Sequence, residues 1–308
     1  MTALALLDES AAGLERRIQL ALMAFAAGDA FGVAYEFLPE KAVVNLDSLS
    51  RRREDEDWPF GGVSDDTHLS ILTILAVQPG DPKASAAIFL RRLREAIPTL
   101  RGLGPTTRAA LGLAVEARDI DLIGTTNGGM MRTALLGLAY NENHRFARRA
   151  MVHALAGATH SDPTALCCAV LASSLFSHAL DHDATTTPRE VLRYESTELE
   201  SVPEDVLDLL RDNEWQPPAD GISLSPVATL GAVIWVVGRS RTIAETFRLS
   251  CELGGDTDTV AALSGGLVAA RMNSLDLLDL PWIDDVMWSE IPQVTHSSRL
   301  LADMRAGR

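Results

Sequence analysis

Apolar residues recur at three- and four-residue spacing along almost the whole chain, and no strand-length run alternates apolar with polar. A 3.6-residue period lines apolar side chains along one face of a helix, so helices must supply the core. The spacing predicts a first helix through Ile18, Leu20, Leu22, Met23 and Phe25, leading to Gly28-Asp29. Further helices are predicted over Asp66–Val77, Pro82–Ala96, Pro105–Ala117, Met130–Tyr140, Arg145–Ala156 and Pro163–Leu180. The last are predicted over Ser225–Val237, Thr242–Glu252 and Asp258–Ala270. Pro105, Pro163 and Pro226 stand near first turns, where a missing N–H does least harm. Lys41–Asp57, with its charge run from Arg51, reads as a solvated loop. Asp181–Pro188 and Asn213–Ile222, with the stiff Pro217-Pro218 pair, read as further loops. No repeat of solenoid period is evident. The expectation is an all-α, multi-helix fold forming a single domain over residues 1–308. Aromatic content is only 5%, so that core is expected to depend on closely packed Ala- and Leu-rich helices.

Charge narrows the partners. A formal net charge of −15 would repel a phosphate backbone, so no nucleic-acid partner is expected, while cation binding is favoured. No stretch offers the roughly 20 uninterrupted apolar residues of a bilayer span, and the run Thr2–Leu7 lacks a basic start and meets Asp8-Glu9 at once. Neither membrane insertion nor secretion is therefore expected. Cys167, Cys168 and Cys251 show no metal or redox spacing and read as core thiols of a reducing compartment. A cytoplasmic, monomeric protein is the expectation.

Two acidic segments stand apart. Gly61-Gly62 precedes Ser64-Asp65-Asp66-Thr67, and Gly254-Gly255 precedes Asp256-Thr257-Asp258-Thr259; each opens an apolar helix. Helix capping explains one oxygen at such a place. It does not explain two carboxylates and neighbouring hydroxyls in each segment. No Lys or Arg occurs between Glu54 and Pro82 or between Leu249 and Ala270, so local sequence offers no neutralising partner. Carboxylates gathered without compensation resist ionising, and a divalent cation removes that conflict. Asp carboxylates with Ser or Thr hydroxyls are hard oxygen donors, which select magnesium or manganese over zinc. Four carboxylates with flanking hydroxyls suffice for a two-ion site.

Taken together, five motifs in order resemble the ADP-ribosylglycohydrolase family. They are Gly28-Asp29-Ala30-Phe31-Gly32 with Glu36, Ser64 to Thr67, Asn127 to Arg132, Thr159 to Pro163, and Gly254 to Thr259. The resemblance implies an orthogonal bundle of helices with a binuclear centre of two Mg2+ (or Mn2+) at the bottom of a cleft. Matched by position, Ser64, Asp65 and Asp66 would be ligands from one side, and Asp256, Asp258 and Thr259 from the other. Asn127, Gly128, Gly129 and Met130 would wrap a diphosphate, consistent with glycines that free backbone N–H groups before a helix. His160 would contact the ADP-ribose. Ser64 stands where many members carry Thr, and Gly129-Met130-Met131 varies the usual loop ending.

Glu36 is the candidate acid or base, since departure of an acceptor needs a proton; Asp65 and Asp258 complete the implied catalytic set. Asp29, inside an apolar helix, needs a partner and reads as structural. Asp162 reads as a cap, the other histidines as ordinary, and the tryptophans as core or loop packing. His68 carries no assignment. The implied activity is release of ADP-ribose from a modified acceptor, with ADP-ribosylarginine on protein as first choice. Serine-linked ADP-ribose, a small ADP-ribosylated molecule, a binding relative without turnover, and a metal phosphohydrolase releasing phosphate are the alternatives.

Overall fold

Caps and apolar periodicity place fourteen α-helices in the computed structural model, which describes residues 1–7, 11, 13–38, 42–52, 58–181, 186–272 and 275–308. They are α1 (Ala3–Leu6), α2 (Leu14–Gly32), α3 (Asp65–Ala76), α4 (Pro82–Ala96), α5 (Pro105–Ala110), α6 (Gly128–Thr133) and α7 (Arg145–Ala156). Then follow α8 (Pro163–Asp181), α9 (Pro188–Thr197), α10 (Glu204–Arg211), α11 (Pro226–Val237), α12 (Ile243–Leu253), α13 (Thr257–Met272) and α14 (Val294–Arg305). Among the described residues there is no strand, only an isolated bridge between Ile222 and Gly255. The all-α expectation is met among the described residues.

Most predicted spans agree within one or two residues, and the exceptions have local causes. The helix expected over Pro105–Ala117 ends at Ala110, because Gly112 turns left-handed (φ 72°). There Gly112 and Leu113 donate back to Ala109 and Arg108, closing the helix end. The helix expected over Met130–Tyr140 starts earlier, at Gly128, and tightens to a 3-10 helix over Ala134–Ala139. Gly137 lies there so close to Ser173 that a Cβ would stand 1.9 Å from its carbonyl oxygen. Helices α1, α9, α10 and α14 are not among the predicted ones. Of the loop expectations, residues 41, 53–57 and 182–185 lie outside the described residues, as do Asp8 and Glu9. Asp181 itself closes α8.

One cluster of buried apolar side chains runs from Ala3 to Ala302 and includes residues of most helices. Helix α8 is long and apolar enough to cross a bilayer by length and composition, yet 72% of its apolar window is buried in this bundle. Phe31, Phe247 and Trp282 stack at the centre, with the Phe31 and Trp282 rings 4.9 Å apart and 21° from parallel. Trp282 and Trp288 are core residues, as expected of the tryptophans. All three cysteines are buried and free.

The packing that positions the site is between α2 and α13. A Cβ on Gly28 would lie 2.4 Å from the Ala261 carbonyl oxygen, and one on Gly32 would lie 2.4 Å from the Asp258 Cα. From the α13 side, a Cβ on Gly265 would come within 3.0 Å of the Ala24 carbonyl oxygen. The two backbones touch where these glycines meet them. Either added methyl must push helix backbone apart, and overpacking of this kind costs typically ~1–3 kcal/mol. Gly28→Ala and Gly32→Ala are therefore each expected to lower the urea unfolding midpoint, read by circular dichroism. Wild-type midpoints in both would contradict this close crossing.

Candidate active site and metal centre

The first acidic segment is held in shape by a buried carboxylate from another helix. Asp29 of α2 accepts from the Ser64 N–H (3.0 Å), the Thr67 N–H (3.0 Å) and the Thr67 hydroxyl. Ser64 in turn caps α3, its Oγ accepting from the Asp66 N–H at 3.0 Å. The free N–H groups of a helix start are thus met by one carboxylate and one hydroxyl. This is the structural partner that Asp29 required. Asp65 and Asp66 remain available to point elsewhere.

A backbone turn shapes the second segment. Gly255 adopts φ 75° and passes so near Ile222 that a Cβ would fall 2.0 Å from the Ile222 oxygen. Ile222 donates to the Gly254 oxygen at 2.9 Å, and Asp256 donates to the Ile222 oxygen at 2.8 Å. The Phe37 N–H donates to the Gly255 oxygen at 2.8 Å, and the Thr257 hydroxyl to the Gly32 oxygen at 2.9 Å. These bonds bring the end of α2, and with it Glu36, beside Asp256.

The two segments meet. Asp65, Asp66, Asp256, Asp258, Thr259 and Glu36 line one small cavity of about 50 Å³. Carboxylate oxygens of Glu36, Asp256 and Asp258 lie within 4.8 Å of one another. The charge of Asp258, on a different helix, bears on Asp66. No Lys or Arg is among the residues lining this cavity; Arg52 approaches from the rim, its Nη2 2.9 Å from Glu36 Oε2. Burial, with these like charges behind it, pushes Asp65 up to about 7. Burial also pushes Glu36 up to about 7, with Arg52 opposing and Asp256 and Asp65 adding. Asp66, Asp256 and Asp258 are likewise raised, by burial first and neighbouring carboxylates second.

The donor set suits a hard divalent cation. Every group is an oxygen, three carboxylates are within mutual reach, and Asp66 Oδ2 is buried without a hydrogen-bond partner among the described residues. Of the expected ligands, Ser64 Oγ accepts the capping bond, Asp256 accepts from the Asn127 amide, and Asp258 Oδ1 accepts from the Thr259 N–H at 2.9 Å.

The glycine loop forms another wall. Asn127 and Gly128 line the cavity, and the Asn127 amide donates to Asp256 and to the Thr229 hydroxyl. Gly129 donates its N–H to His160 Nε2 at 3.1 Å, which makes that nitrogen the acceptor and places the ring proton on Nδ1. His160 Nδ1 meets the Thr159 hydroxyl at 2.8 Å, which also accepts from Arg132. Burial, helped by Arg132, pushes His160 down to about 3, so the ring is neutral. Thus His160 supports the loop from beneath. Met130 is in the core, and its neighbour Met131 lines the cavity instead.

Gly102, Gly104, Thr107, Thr126 and Leu224 also line the wall, outside the motifs named from the sequence. The Gly102-Leu103-Gly104-Pro105 run carried a usable signal, since Gly102 is left-handed and a Cβ there would lie 3.0 Å from Asp65 Oδ1. A groove of about 830 Å³ shares Leu224 with the acidic cavity and passes Phe37, Leu122, Thr125 and Ser223. His68 lines a separate hollow of about 550 Å³ with Arg101 and Glu290.

Comparison with known proteins gives this geometry a context. An uncharacterized protein of Archaeoglobus fulgidus is 24% identical over 277 residues, covering 84% of this chain and 88% of that one. The ADP-ribosylarginine hydrolase Tri1 of Pseudomonas putida is 24% identical over 295 residues, covering 89% of this chain and 75% of that protein. A solved ADP-ribosylglycohydrolase-related protein complex has a chain that superposes with a TM-score of 0.71 at 27% identity, covering 94% of this chain and 98% of its own. The family profile described as ADP-ribosylglycohydrolase matches residues 10–306, a span holding every acidic residue of the cavity, and the chain belongs to that family.

Proposed function

We propose that this chain is a metal-dependent hydrolase that releases ADP-ribose from a modified acceptor, with ADP-ribosylarginine on protein as its first substrate. The observation that carries the reading is the convergence of four buried carboxyl groups and the half-buried Glu36, from three separate stretches, on a cavity lined by no Lys or Arg. Isolated from metal, that gathering opposes its own ionisation. Asp65 and Asp66 from one side and Asp256, Asp258 and Thr259 from the other would hold two Mg2+ or Mn2+ ions, with Ser64 beside them. When bound, such ions supply positive charge that orients the ribose hydroxyls and favours ionisation of a water.

The chain's own residues supply the rest. Glu36 lies among the carboxylates and holds a proton near neutral pH, which suits a group that hands one to a departing nitrogen. Asn127 fixes Asp256 through its amide, and the Gly128-Gly129 backbone, braced by His160, presents its wall to the ligand. The cavity of about 50 Å³ has room for ions and water, and the adjoining groove of about 830 Å³ has room for the remainder of a nucleotide. The Tri1 likeness supports arginine as acceptor.

Asp258→Asn is expected to abolish metal-dependent release of intact ADP-ribose from an arginine-linked peptide, read by mass spectrometry of products. Its helical circular dichroism should be unchanged. Full release by this variant, or phosphate in place of ADP-ribose, would remove the proposal.

A second expectation concerns pH. Glu36 and Asp65 bind protons in the folded chain up to about 7, against ordinary values of 4.5 and 3.8. Between those limits the folded state holds more protons than the unfolded one, so stability falls as pH rises. In chelator, the melting temperature should drop between pH 5 and pH 8. Added Mg2+ or Mn2+ should restore it, and by more at pH 8 than at pH 5. A metal-induced shift of equal size at both values would argue against an ion held by these carboxylates.

A further inference from the structure

Beside the acidic cavity stands an arrangement that recognises a guanidinium, and the chain itself fills it. Arg52 reaches in from the non-helical segment 42–52, its guanidinium carbon 4.6 Å from the centre of the Trp58 ring. The same guanidinium approaches Glu36 Oε2 at 2.9 Å. A carboxylate at the edge and an indole against the face are groups that suit a planar guanidinium better than a compact ammonium. Glu36 is no ordinary surface partner, for its carboxylate oxygen stands within 4.8 Å of ligand atoms on Asp256 and Asp258.

Arg52 is held loosely at this rim. Its Nη1 is buried without a hydrogen-bond partner among the described residues, and its contact with Glu36 is an ion pair outside hydrogen-bond angles. A guanidinium offers five N–H donors, and one so under-used loses little on leaving. Trp58, in contrast, is fixed. Its ring nitrogen donates to the Gly62 oxygen at 3.2 Å, and Arg101 lies 5.4 Å from its ring centre. Arg101 is itself tied to Glu290 and to the Val63 oxygen. The indole keeps these supports if Arg52 swings away.

We propose that Glu36 and Trp58 form the recognition site for the acceptor's guanidinium, and that Arg52 is an internal occupant which a substrate arginine displaces. The inference rests on the hydrolase reading above and narrows its acceptor to arginine. Seated there, the leaving guanidine nitrogen lies next to the Glu36 carboxyl. The ribose C–N bond breaks with its electron pair going to the nitrogen, and the water oxygen bonds to the ribose carbon. Glu36, a carboxylate while paired with the guanidinium, takes the proton that water gives up and passes it to the released guanidine nitrogen. While Arg52 occupies the site, the affinity seen by any outside guanidinium is lowered by the filled fraction.

The test is calorimetric titration of agmatine into the magnesium-loaded full chain, with cadaverine as a cation of similar length that lacks the guanidinium. Arg52→Ala should bind agmatine about five- to thirty-fold more tightly than wild type, and cadaverine should show no such gain. Adding Trp58→Leu to Arg52→Ala should remove most of the gain. In turnover, Arg52→Ala should lower the KM for an arginine-linked ADP-ribose peptide, whereas a purely supporting Arg52 predicts a rise. Should Arg52→Ala fail to fold, Arg52→Gln keeps the chain length and tests the same displacement. Equal agmatine affinity in wild type and the folded Arg52 variant, or equal gains for agmatine and cadaverine, would overturn the proposal. Tighter agmatine binding without any release of ADP-ribose would instead strike the hydrolase reading and leave a guanidinium site standing.

Discussion

The site depends on two helices that approach to backbone contact. Gly28 and Gly32 of α2 leave no side chain between that helix and α13, so the Asp29 end of one lies against the Asp256–Asp258 start of the other. From this crossing the rest follows by short links. Asp29 reaches across to hold the turn that opens α3, and Thr257 bonds back to Gly32. Three chain stretches far apart in sequence thereby share one wall of carboxylates. Larger residues at the crossing would separate them, whatever their individual caps.

The carboxylates impose a cost that the surrounding bundle must cover. Each is buried, each is raised above its ordinary value, and none has a lysine or arginine lining the same cavity. Stability elsewhere offsets this, notably in the continuous apolar core and the Phe31, Phe247 and Trp282 stack. The pattern fits a protein whose charges are arranged for a ligand and not for the chain alone.

Much of this was legible in the sequence, and the gaps have physical reasons. Helices with a clear apolar stripe, such as α4 with its first-turn proline and α7, are legible with their full limits. The acidic pairs announced themselves through their lack of local counter-charge. Helix α9 was passed over because its buried face includes charge: Glu195 is buried against Arg148 and Arg149 at 2.8 Å, a contact no linear pattern distinguishes from a solvated face. Yet Thr187 and Glu190 form a capping box there, a signal that was present and unused. For the site, residue types and segments were visible but their uses were not. Sequence could name His160, though not show that its ring nitrogens are engaged with Gly129 and Thr159. Arg52 and Trp58 belonged to a stretch that reads only as polar loop and packing, and their meeting depends on the folded path.

Phe37 takes a left-handed φ of 47° and hangs its N–H on Gly255, one residue past Glu36 and one residue before Asp256. A single amide therefore ties the group that would handle protons to the loop that would grip the ions. Such a protein has no easy route to an intermediate form that retains one task and has shed the other.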